Sequence, residues 1–435
     1  MMQIAHHLPA WLLACLPVSL ARHCASKSAS TTTTSSESIR QLLVDISVIH
    51  QSDAQTGIQR VVRSLLSQLL QAPPAGYKIC PIFATRKHSY HYVAPCFVDH
   101  SAQPTEVTQK AVQGTVHAQK GDLFLGLDLA TYLLPHHRSQ ILGWKRNGVE
   151  VHVVVYDLLP LLHPEWFNPK TIRNFKRWIR WVAVYSDTAV CISEIVKREL
   201  NTWMSVSFGL PPTALPSSTI ALGADIGANI PTNKLPNDAK HLLNCMRHTP
   251  AVLMVGTLEP RKGYDEALAA FEHLWQKQSD MPLPILVIVG RPGWKTKALQ
   301  EKLRMHPQAG KSLFWLEDVN DEYLGQLYAA CSGVLVASRA EGFGLPIIEA
   351  ALHGKPILAR DLPVFRELCV PNISYFHESM PKALTHALSK WLVKLVKGNS
   401  SARIEKLITT LPPLHRWETA ASDLLLNLGL LSKRK

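Results

Sequence analysis

Short apolar runs alternate with helical patterns along most of the chain, and this order constrains the fold more than any other feature. The run LLVDI at residues 42–46 precedes the amphipathic segment TGIQRVVRSLLSQLL, and GVLVA at residues 333–337 precedes a loop and the helical segment IIEAAL. Strands that alternate with helices are typical of parallel, doubly wound sheets with helices on both faces. The sequence therefore predicts an α/β fold.

The chain of 435 residues is longer than what one hydrophobic core usually holds, so we expect two such domains. A stretch with Pro, Asn and Gly interrupts the alternation of strands and helices, as is typical of an interdomain linker. The expected boundaries are an apolar segment and disordered linker at 1–38, an N-terminal domain at 39–228, the linker at 229–249, a second domain at 250–412 and a C-terminal helix within 413–435.

The first residues do not fit either domain. The patch AWLLACLPVSLA is too short for a transmembrane helix and is interrupted by Pro17. We interpret it as an upstream extension or a weak membrane contact rather than a cleaved signal peptide. Residues 26–36, SKSASTTTTSS, have the low complexity of disordered linkers. We therefore expect the folded part to begin near Ile39.

The loop after residues 333–337 is predicted to bind an anion. Gly342 and Gly344 let the backbone approach a ligand closely, and Pro346 fits the first turn of the helix that follows. The free N–H groups at the start of that helix favour negative charge. A phosphate-bearing ligand is therefore expected here.

Two carboxylates, Glu341 and Glu349, flank this loop and lie eight positions apart. Since carboxylates repel phosphate, we expect their partners to be hydroxyl groups, so a ligand with both phosphate and sugar hydroxyls fits. The spacing alone also fits a solvated loop residue and a residue that complements the helix dipole.

Two adjacent cations, Arg261 and Lys262, stand just before a helical segment of the second domain. The planar guanidinium and the compact ammonium group suit a diphosphate. Taken alone, such a pair is usually solvated surface. Because loops that follow parallel strands gather at one sheet edge, we expect the pair to lie near Glu341 and Glu349, and this combination favours the diphosphate interpretation.

The N-terminal domain offers two further candidates. Gly57 follows the loop after the first strand, although a helix cap explains it equally well. A fully apolar strand ends at Tyr156 and Asp157, before a proline-rich loop that carries His163. Ligands of open α/β sheets bind beyond such carboxyl ends, so Asp157 is a candidate for contact with a second substrate.

The formal net charge of +13 predicts attraction to acidic partners. The sequence has no zinc-finger spacing, RNA-binding aromatic signature or long basic run, so a membrane surface or a phosphosugar is favoured over nucleic acid. Residues 170–182 place Lys and Arg among aromatic residues and form either a contact with acidic lipid or acceptor, or a surface helix whose rings face the core.

Eight scattered cysteines without a C-x-x-C pair indicate a reduced, cytoplasmic protein.

Several motifs together resemble the retaining glycosyltransferases of family GT4: VGTLEPRKG, SRAEGFGLPIIEAALHGKPILARDLPVFREL, TGIQRVVRSL and VYDLLPLLHPEWF. The resemblance runs from about residue 42 to residue 417 and is strongest over 252–368. It implies the GT-B fold, in which two Rossmann-like domains face a central cleft and the C-terminal helix packs back on the N-terminal domain. The DIS, GIQRVV and YDLLP pattern is similar to bacterial enzymes of surface-polysaccharide assembly, often mannosyltransferases.

By this resemblance the second domain binds a nucleotide sugar, with GDP-mannose favoured. The diphosphate is assigned to Arg261 and Lys262, the ribose to Glu349, the base to the backbone near Val319, and the donor sugar to Glu341 and the following backbone. The residues implied in donor binding are Gly57, Gly256, Arg261, Lys262, Val319, Glu341, Gly342, Phe343, Gly344, Leu345 and Glu349. The residues implied in catalysis are Glu341, Lys262, Arg261 and Asp157.

One departure concerns the strand that ends at Tyr156 and Asp157, where many relatives have a His-Asp pair. The role of that histidine is therefore not carried over, and Asp157 is kept as an acceptor-side residue. No metal or other cofactor is expected. No aspartate in the chain is followed by another two positions on, and Arg261 and Lys262 stand where the leaving group gains charge.

The resemblance thus implies transfer of a hexose to a glycan or lipid-linked acceptor, by a cytoplasmic enzyme held peripherally at the inner membrane. A nucleotide-sugar epimerase of GT-B architecture is one alternative, and a catalytically degenerate sugar-nucleotide-binding protein is another. The intact set of Arg261, Lys262, Glu341 and Glu349 disfavours the degenerate protein.

Overall fold

The computed structural model describes residues 8–26, 39–53, 56–93, 113–224, 235–236, 239–276, 283–377, 383–397 and 416–432. The chain divides into two compact units. Unit 1 comprises Met1–Pro164, Pro169–Leu222 and Trp417–Lys435, and unit 2 comprises Glu165–Asn168 and Gly223–Arg416.

The sheet of unit 1 has eight strands in the order β4-β3-β2-β1-β5-β6-β7-β8. Neighbouring strands are parallel except for β2 with β3 and β3 with β4, which are antiparallel. The central strands are apolar and buried, as expected for parallel strands covered on both faces. The strands are β1 (Arg40–Asp45), β2 (Tyr77–Phe83), β3 (His91–Tyr92), β4 (Gln113–Thr115), β5 (Leu123–Gly126), β6 (Glu150–Val155), β7 (Thr188–Cys191) and β8 (Ser217–Thr219).

The strand order of unit 1 reverses between β1 and β5, which is where open α/β sheets bind ligands. The helices are α1 (Ala10–Leu13), α2 (Val18–Ala25), α3 (Ser47–Gln51), α4 (Gly57–Gln71), α5 (Arg138–Arg146), α6 (Leu159–Leu162), α7 (Pro169–Tyr185) and α8 (Glu194–Phe208). A 3₁₀ helix at Pro164–Trp166 begins at the last residue of a unit 1 segment and continues into unit 2. A last helix, Trp417–Asn427, packs against α4, and Asn427 donates a hydrogen bond to the Thr219 carbonyl at 3.0 Å.

The expectation that the folded part begins near Ile39 is wrong. Helices α1 and α2, which we call the N-terminal helix pair, pack against α5 and α7. Their inner residues are buried, including Leu13, Ala21 and Cys24. The sequence analysis missed these two helices because both are short and Pro17 separates them. The linker expected at residues 26–36 lies outside the described residues, apart from Ser26.

Helix α7 contains the basic segment with interleaved aromatic residues. Phe175, Trp178 and Trp181 are each no more than 2% exposed. The rings therefore face the core, which is the simpler of the two interpretations of this segment. Lys and Arg occupy the other side of the helix.

The sheet of unit 2 has six parallel strands in the order β11-β10-β9-β12-β13-β14, with the reversal between β9 and β12. Its core lies between the sheet and the helices and includes Phe271, Leu286 and Trp391. The strands are β9 (Ala251–Val255), β10 (Ile285–Val289), β11 (Leu313–Leu316), β12 (Gly333–Val336), β13 (Ile357–Arg360) and β14 (Ile373–Phe376).

The helices of unit 2 are α9 (Ala239–His248), α10 (Tyr264–Gln276), α11 (Lys297–Arg304), α12 (Asp321–Ala330), α13 (Leu345–Leu352), α14 (Pro363–Glu367) and α15 (Ala383–Lys397), with a 3₁₀ helix at Pro260–Lys262. Helix α9 corrects the interdomain linker predicted at 229–249. It buries Leu242, Leu243 and Met246 and packs against α12, so it belongs to unit 2. None of the helices in the described part of the chain is long and apolar enough to cross a membrane.

Candidate active site

Two loops meet at the reversal point of the sheet in unit 2. One follows β9 and carries Arg261 and Lys262, and the other follows β12 and carries Glu341. Because β9 and β12 are parallel neighbours, both loops emerge at the same edge. The backbone N–H of Arg339 donates to the Arg261 carbonyl at 2.7 Å, which ties the two loops together.

Gly263 lets these loops approach each other. Its φ of +70° lies in the left-handed region, and it ends the 3₁₀ helix that carries both cations. A Cβ atom at this position would lie 2.3 Å from the Ala337 carbonyl oxygen, on the other loop. A larger residue would therefore force the cations away from the end of β12.

Glu341 binds both cations directly. Its carboxylate accepts hydrogen bonds from Arg261 Nη1 at 2.6 Å and from Lys262 Nζ at 2.5 Å. The Ser338 hydroxyl donates a third at 2.7 Å. The Arg261 Nε also donates to Glu259 at 2.8 Å. Two carboxylates thus neutralise the two cations in this structure.

The electrostatics follow from this geometry. Burial alone raises the pKa of Glu341, but the charges of Arg261 and Lys262 outweigh it and lower the pKa to about 2. The carboxylate therefore stays ionised at all ordinary pH values. Because charge-assisted hydrogen bonds are short and strong, this cluster fixes the positions of three predicted catalytic residues.

Arg339, which sequence analysis did not single out, supports the same loop. Its guanidinium donates to the Pro260 carbonyl at 3.0 Å and forms ion pairs with Asp265 and Glu266 at 3.1 and 2.8 Å. The buried Arg360, at the end of β13, also forms an ion pair with Glu266 of α10. These contacts couple the cation loop to the start of α10.

Helix α13 begins directly after the Glu341 loop. Its N-cap, Gly344, has φ +126°, and a Cβ atom there would lie 2.9 Å from the ring of Phe365. Glycine is therefore required at this position by backbone conformation and packing, even before any ligand is considered. Gly342 and Phe343 are buried, and Leu345 is half-buried at the start of the helix.

Glu349 lies inside α13 and is only 2% exposed. The hydroxyl of Tyr328, from α12, donates to its carboxylate at 2.6 Å, and the Tyr328 ring stacks on His353 at 5.1 Å between centroids. Sequence analysis did not single out Tyr328, because it lies on a different helix from Glu349. Val319 is half-buried in the loop between β11 and α12. Gly256 directly follows β9, with φ +142°.

Gly57 and Asp157 lie in unit 1, so they are not part of this cluster. Gly57 is the first residue of α4, after a capping box in which Thr56 and Gln59 exchange hydrogen bonds at 3.2 and 3.3 Å. Asp157 follows β6, where its carboxylate accepts from the Leu159 N–H at 3.0 Å. Burial and the charge of Asp157 raise the pKa of Glu199 to about 7.

Tyr156 is buried, and its hydroxyl donates to the Leu127 carbonyl at 2.7 Å. Its side chain therefore holds the end of β6 to the end of β5. This contact gives Tyr156 a structural role at the carboxyl end of β6.

Two buried carboxylates at the reversal point of unit 1 were missed by sequence analysis. Asp45 accepts hydrogen bonds from the hydroxyls of Ser47 and of Tyr90, the latter at 2.7 Å. Asp128 accepts from the backbone N–H groups of Val48 and Ile49 at 2.8 Å each. Burial raises the pKa of Asp45 to about 6 and that of Asp128 to about 7.

We find no cluster of three or more His, Cys, Asp or Glu side chains suited to a metal ion within the described ranges. The positive groups that pair with the Glu341 carboxylate are Arg261 and Lys262.

Comparison with known proteins places these features in context. Residues 246–406 match the family model "Glycosyl transferases group 1". The serotype-specific mannosyltransferase WbdA of Escherichia coli is 38% identical over 395 residues, which are 90% of this chain and 45% of WbdA. The O-antigen chain mannosyltransferase B of the same species is 30% identical over 213 residues, 49% of this chain and 53% of that protein. The chain spans about half the length of these curated relatives.

Solved structures show the same architecture. HepE from Anabaena, in complex with UDP and glucose, superposes with a TM-score of 0.59 at 17% identity, over 90% of this chain and 100% of HepE. Sucrose-phosphate synthase from Thermosynechococcus elongatus gives 0.59 at 18% identity, over 90% and 100%. These matches confirm the predicted GT-B class of two α/β units with largely parallel sheets, while the central cleft stays a prediction.

Proposed function

We propose that this chain, of which residues 246–406 match the glycosyl transferases group 1 family, is a retaining glycosyltransferase that uses a nucleotide sugar. The hexose is mannose, supplied by GDP-mannose. The acceptor is a glycan or a lipid-linked glycan of cell-surface polysaccharide assembly. The mannosyltransferase names of two Escherichia coli relatives support the sugar, and the UDP and glucose bound by HepE support the donor class.

The observation that carries this proposal is the cluster of Arg261, Lys262 and Glu341 at the reversal point of the unit 2 sheet. The two cations bind the donor diphosphate and stabilise the charge that develops on the leaving phosphate oxygen. Helix α13 points its N-terminus, and so its positive end, at the same loop. The ion-pair contacts of Glu341 would be exchanged for donor groups when the diphosphate takes the cations.

The ribose and the donor sugar are held by carboxylates and by the loop backbone. Glu349, oriented by Tyr328, holds the ribose, and Glu341 with the backbone of Phe343 and Leu345 holds the donor sugar. The acceptor hydroxyl attacks the anomeric carbon from the side of the departing diphosphate, whose oxygen takes the hydroxyl proton. The bond from the sugar to phosphate breaks as the new glycosidic bond forms.

We propose that this reaction needs no metal ion, since fixed cations already stand at the place of the leaving group. We also propose that Asp157 contacts the acceptor, because it follows β6 at a carboxyl edge of unit 1. The protein acts in the cytoplasm, peripherally on the inner membrane, and does not bind nucleic acid. The formal net charge of +13 supports attraction to an acidic lipid surface.

A screen of nucleotide sugars for thermal stabilisation tests the donor. A ligand that binds only the folded state at about 100 times its Kd stabilises it by about 2.7 kcal/mol. We expect GDP-mannose to raise the melting temperature more than UDP-glucose or UDP-galactose, and Lys262→Ala to abolish this rise. Stabilisation by none of them would contradict the proposal, and release of an isomerised sugar without acceptor would indicate the epimerase instead.

A further inference from the structure

Four helices of unit 1 form a layer with strongly one-sided charge. Helix α2 packs on α7, α1 on α5, and α5 on α7. Together these helices carry nine Lys and Arg residues, one in α2, three in α5 and five in α7. Their sequences contain no Asp or Glu. Lys145 is buried and pairs with Asp187, so the other eight cations give the layer a field that attracts anions.

Three of these arginines hold the N-terminal helix pair in place. Arg180 donates to the carbonyls of Ala14 and Leu16 at 3.1 and 2.5 Å, just beyond the end of α1. Arg22 donates to the carbonyls of Ala183 and Ser186 at 2.8 Å each. Arg146 donates to the Leu8 carbonyl at 2.6 Å. The helix pair is therefore a fixed part of unit 1.

The outward side chains of the layer are of two kinds. Four cations on α7 are exposed: Lys170, Arg173, Lys176 and Arg177. Two large apolar residues on the helix pair are also exposed, Trp11 at 62% and Leu20 at 48%. Because the aromatic rings of α7 are buried, the large exposed apolar residues of this layer are those of the helix pair, which packs on α7 through α2.

We propose that the N-terminal helix pair and the exposed side of α7 together form a docking surface for an anionic lipid bilayer. The cations suit the headgroup phosphates, whereas Trp11 and Leu20 suit the boundary between headgroups and acyl chains. A nucleic acid would satisfy the cations but not Leu20. This inference rests on the membrane association proposed above and names the surface responsible.

The test is co-sedimentation of the full chain with vesicles of phosphatidylcholine alone, or of phosphatidylcholine and phosphatidylglycerol in equal parts. Each Lys or Arg near an anionic leaflet strengthens binding about fivefold, so we expect Arg173→Glu with Lys176→Glu to weaken binding to anionic vesicles at least about tenfold. Trp11→Ala with Leu20→Ala should lower the binding that persists at 1 M salt, where the Debye length is about 3 Å.

Matched controls separate this surface from general charge and apolarity. Lys302→Glu with Arg304→Glu makes the same charge change on α11 of unit 2, where both side chains are about half exposed. Met305→Ala removes an apolar side chain that is 85% exposed. Both controls should leave vesicle binding within about twofold of the unaltered protein.

Equal losses in the α7 variant and its control, or no preference of the unaltered protein for anionic vesicles, would overturn the proposal. So would loss of binding to single-stranded RNA in the α7 variant with vesicle binding unchanged, which would assign the surface to nucleic acid. Stabilisation by GDP-mannose is measured in parallel. A protein that binds vesicles but responds to no nucleotide sugar would refute the proposed function and leave the docking surface intact.

Discussion

Replacing Glu341 by Gln should have opposite effects on nucleotide binding and on turnover. The carboxylate now holds Arg261 and Lys262 at 2.6 and 2.5 Å, so a diphosphate must compete with it for both cations. A unit charge at about 4 Å contributes about 4 kcal/mol at an effective dielectric constant of 20. Even a third of this corresponds to about a tenfold gain in GDP affinity for Glu341→Gln.

Whereas Glu341→Gln should bind GDP more tightly, its folded state should be less stable than that of the unaltered protein. The pKa of Glu341 falls from 4.5 to about 2, which corresponds to about 3 kcal/mol of favourable interaction of the ionised form. Because the folded-state pKa is depressed, this contribution is complete above pH 4.5 and is lost as the pH falls towards 2. The variant should therefore be less stable at neutral pH, and the difference should shrink below pH 4.5.

The assays are calorimetric titration with GDP, transfer kinetics at saturating donor, and denaturant unfolding at several pH values. We expect tighter GDP binding together with a kcat lowered about 10²-fold or more, because the donor sugar loses a carboxylate acceptor. Glu317→Gln is the matched control, since that side chain pairs with Arg304 at an exposed position. Unchanged or weaker GDP binding by Glu341→Gln would refute the idea that the carboxylate and the diphosphate share the same cations.

Three further results are expected. Tyr328→Phe removes a buried charge-assisted hydrogen bond of about 1.5–3 kcal/mol, so the donor KM should rise about tenfold or more with kcat nearly unchanged, as measured by initial rates. Transfer should survive excess EDTA, while Lys262→Ala should lower kcat about 10²–10³-fold. Since burial raises the folded-state pKa of Asp45 and Asp128, the unfolding free energy should fall as the pH rises from 3.8, up to about 6 for Asp45 and about 7 for Asp128. The slope is up to about 1.4 kcal/mol per pH unit for each group, and Asp128→Asn should flatten it in denaturant titrations.

The two α/β units were predictable from the sequence because buried parallel strands appear in it as continuous apolar runs, as in β10, whose five residues are all buried. The N-terminal helix pair was not predictable in this way. Those helices are stabilised by partners such as Ala183, 161 positions from Arg22, and no local pattern reports so distant a contact. Helix α9 was missed because its amphipathic segment is only ten residues long and follows a stretch with Pro and Asn.

The site was predictable where it depends on strand ends. Arg261, Lys262 and Glu341 follow neighbouring parallel strands, so their meeting follows from the strand-helix pattern. Their direct ion pairing did not follow, because the carboxylate was assigned to sugar hydroxyls. Tyr328 lies on another helix, and only the folded chain brings its hydroxyl to Glu349.

The path of the chain between its two units has a consequence for biosynthesis. Unit 1 receives its last helix, Trp417–Asn427, only after all of Gly223–Arg416 has been made. Until then, the α4 surface that this helix covers is exposed on the nascent polypeptide. Unit 2, apart from Glu165–Asn168, emerges as the single segment Gly223–Arg416. Unit 2 is thus able to fold first although it is encoded later, and a ribosome that stops before residue 417 releases a chain with an unfinished, aggregation-prone N-terminal half.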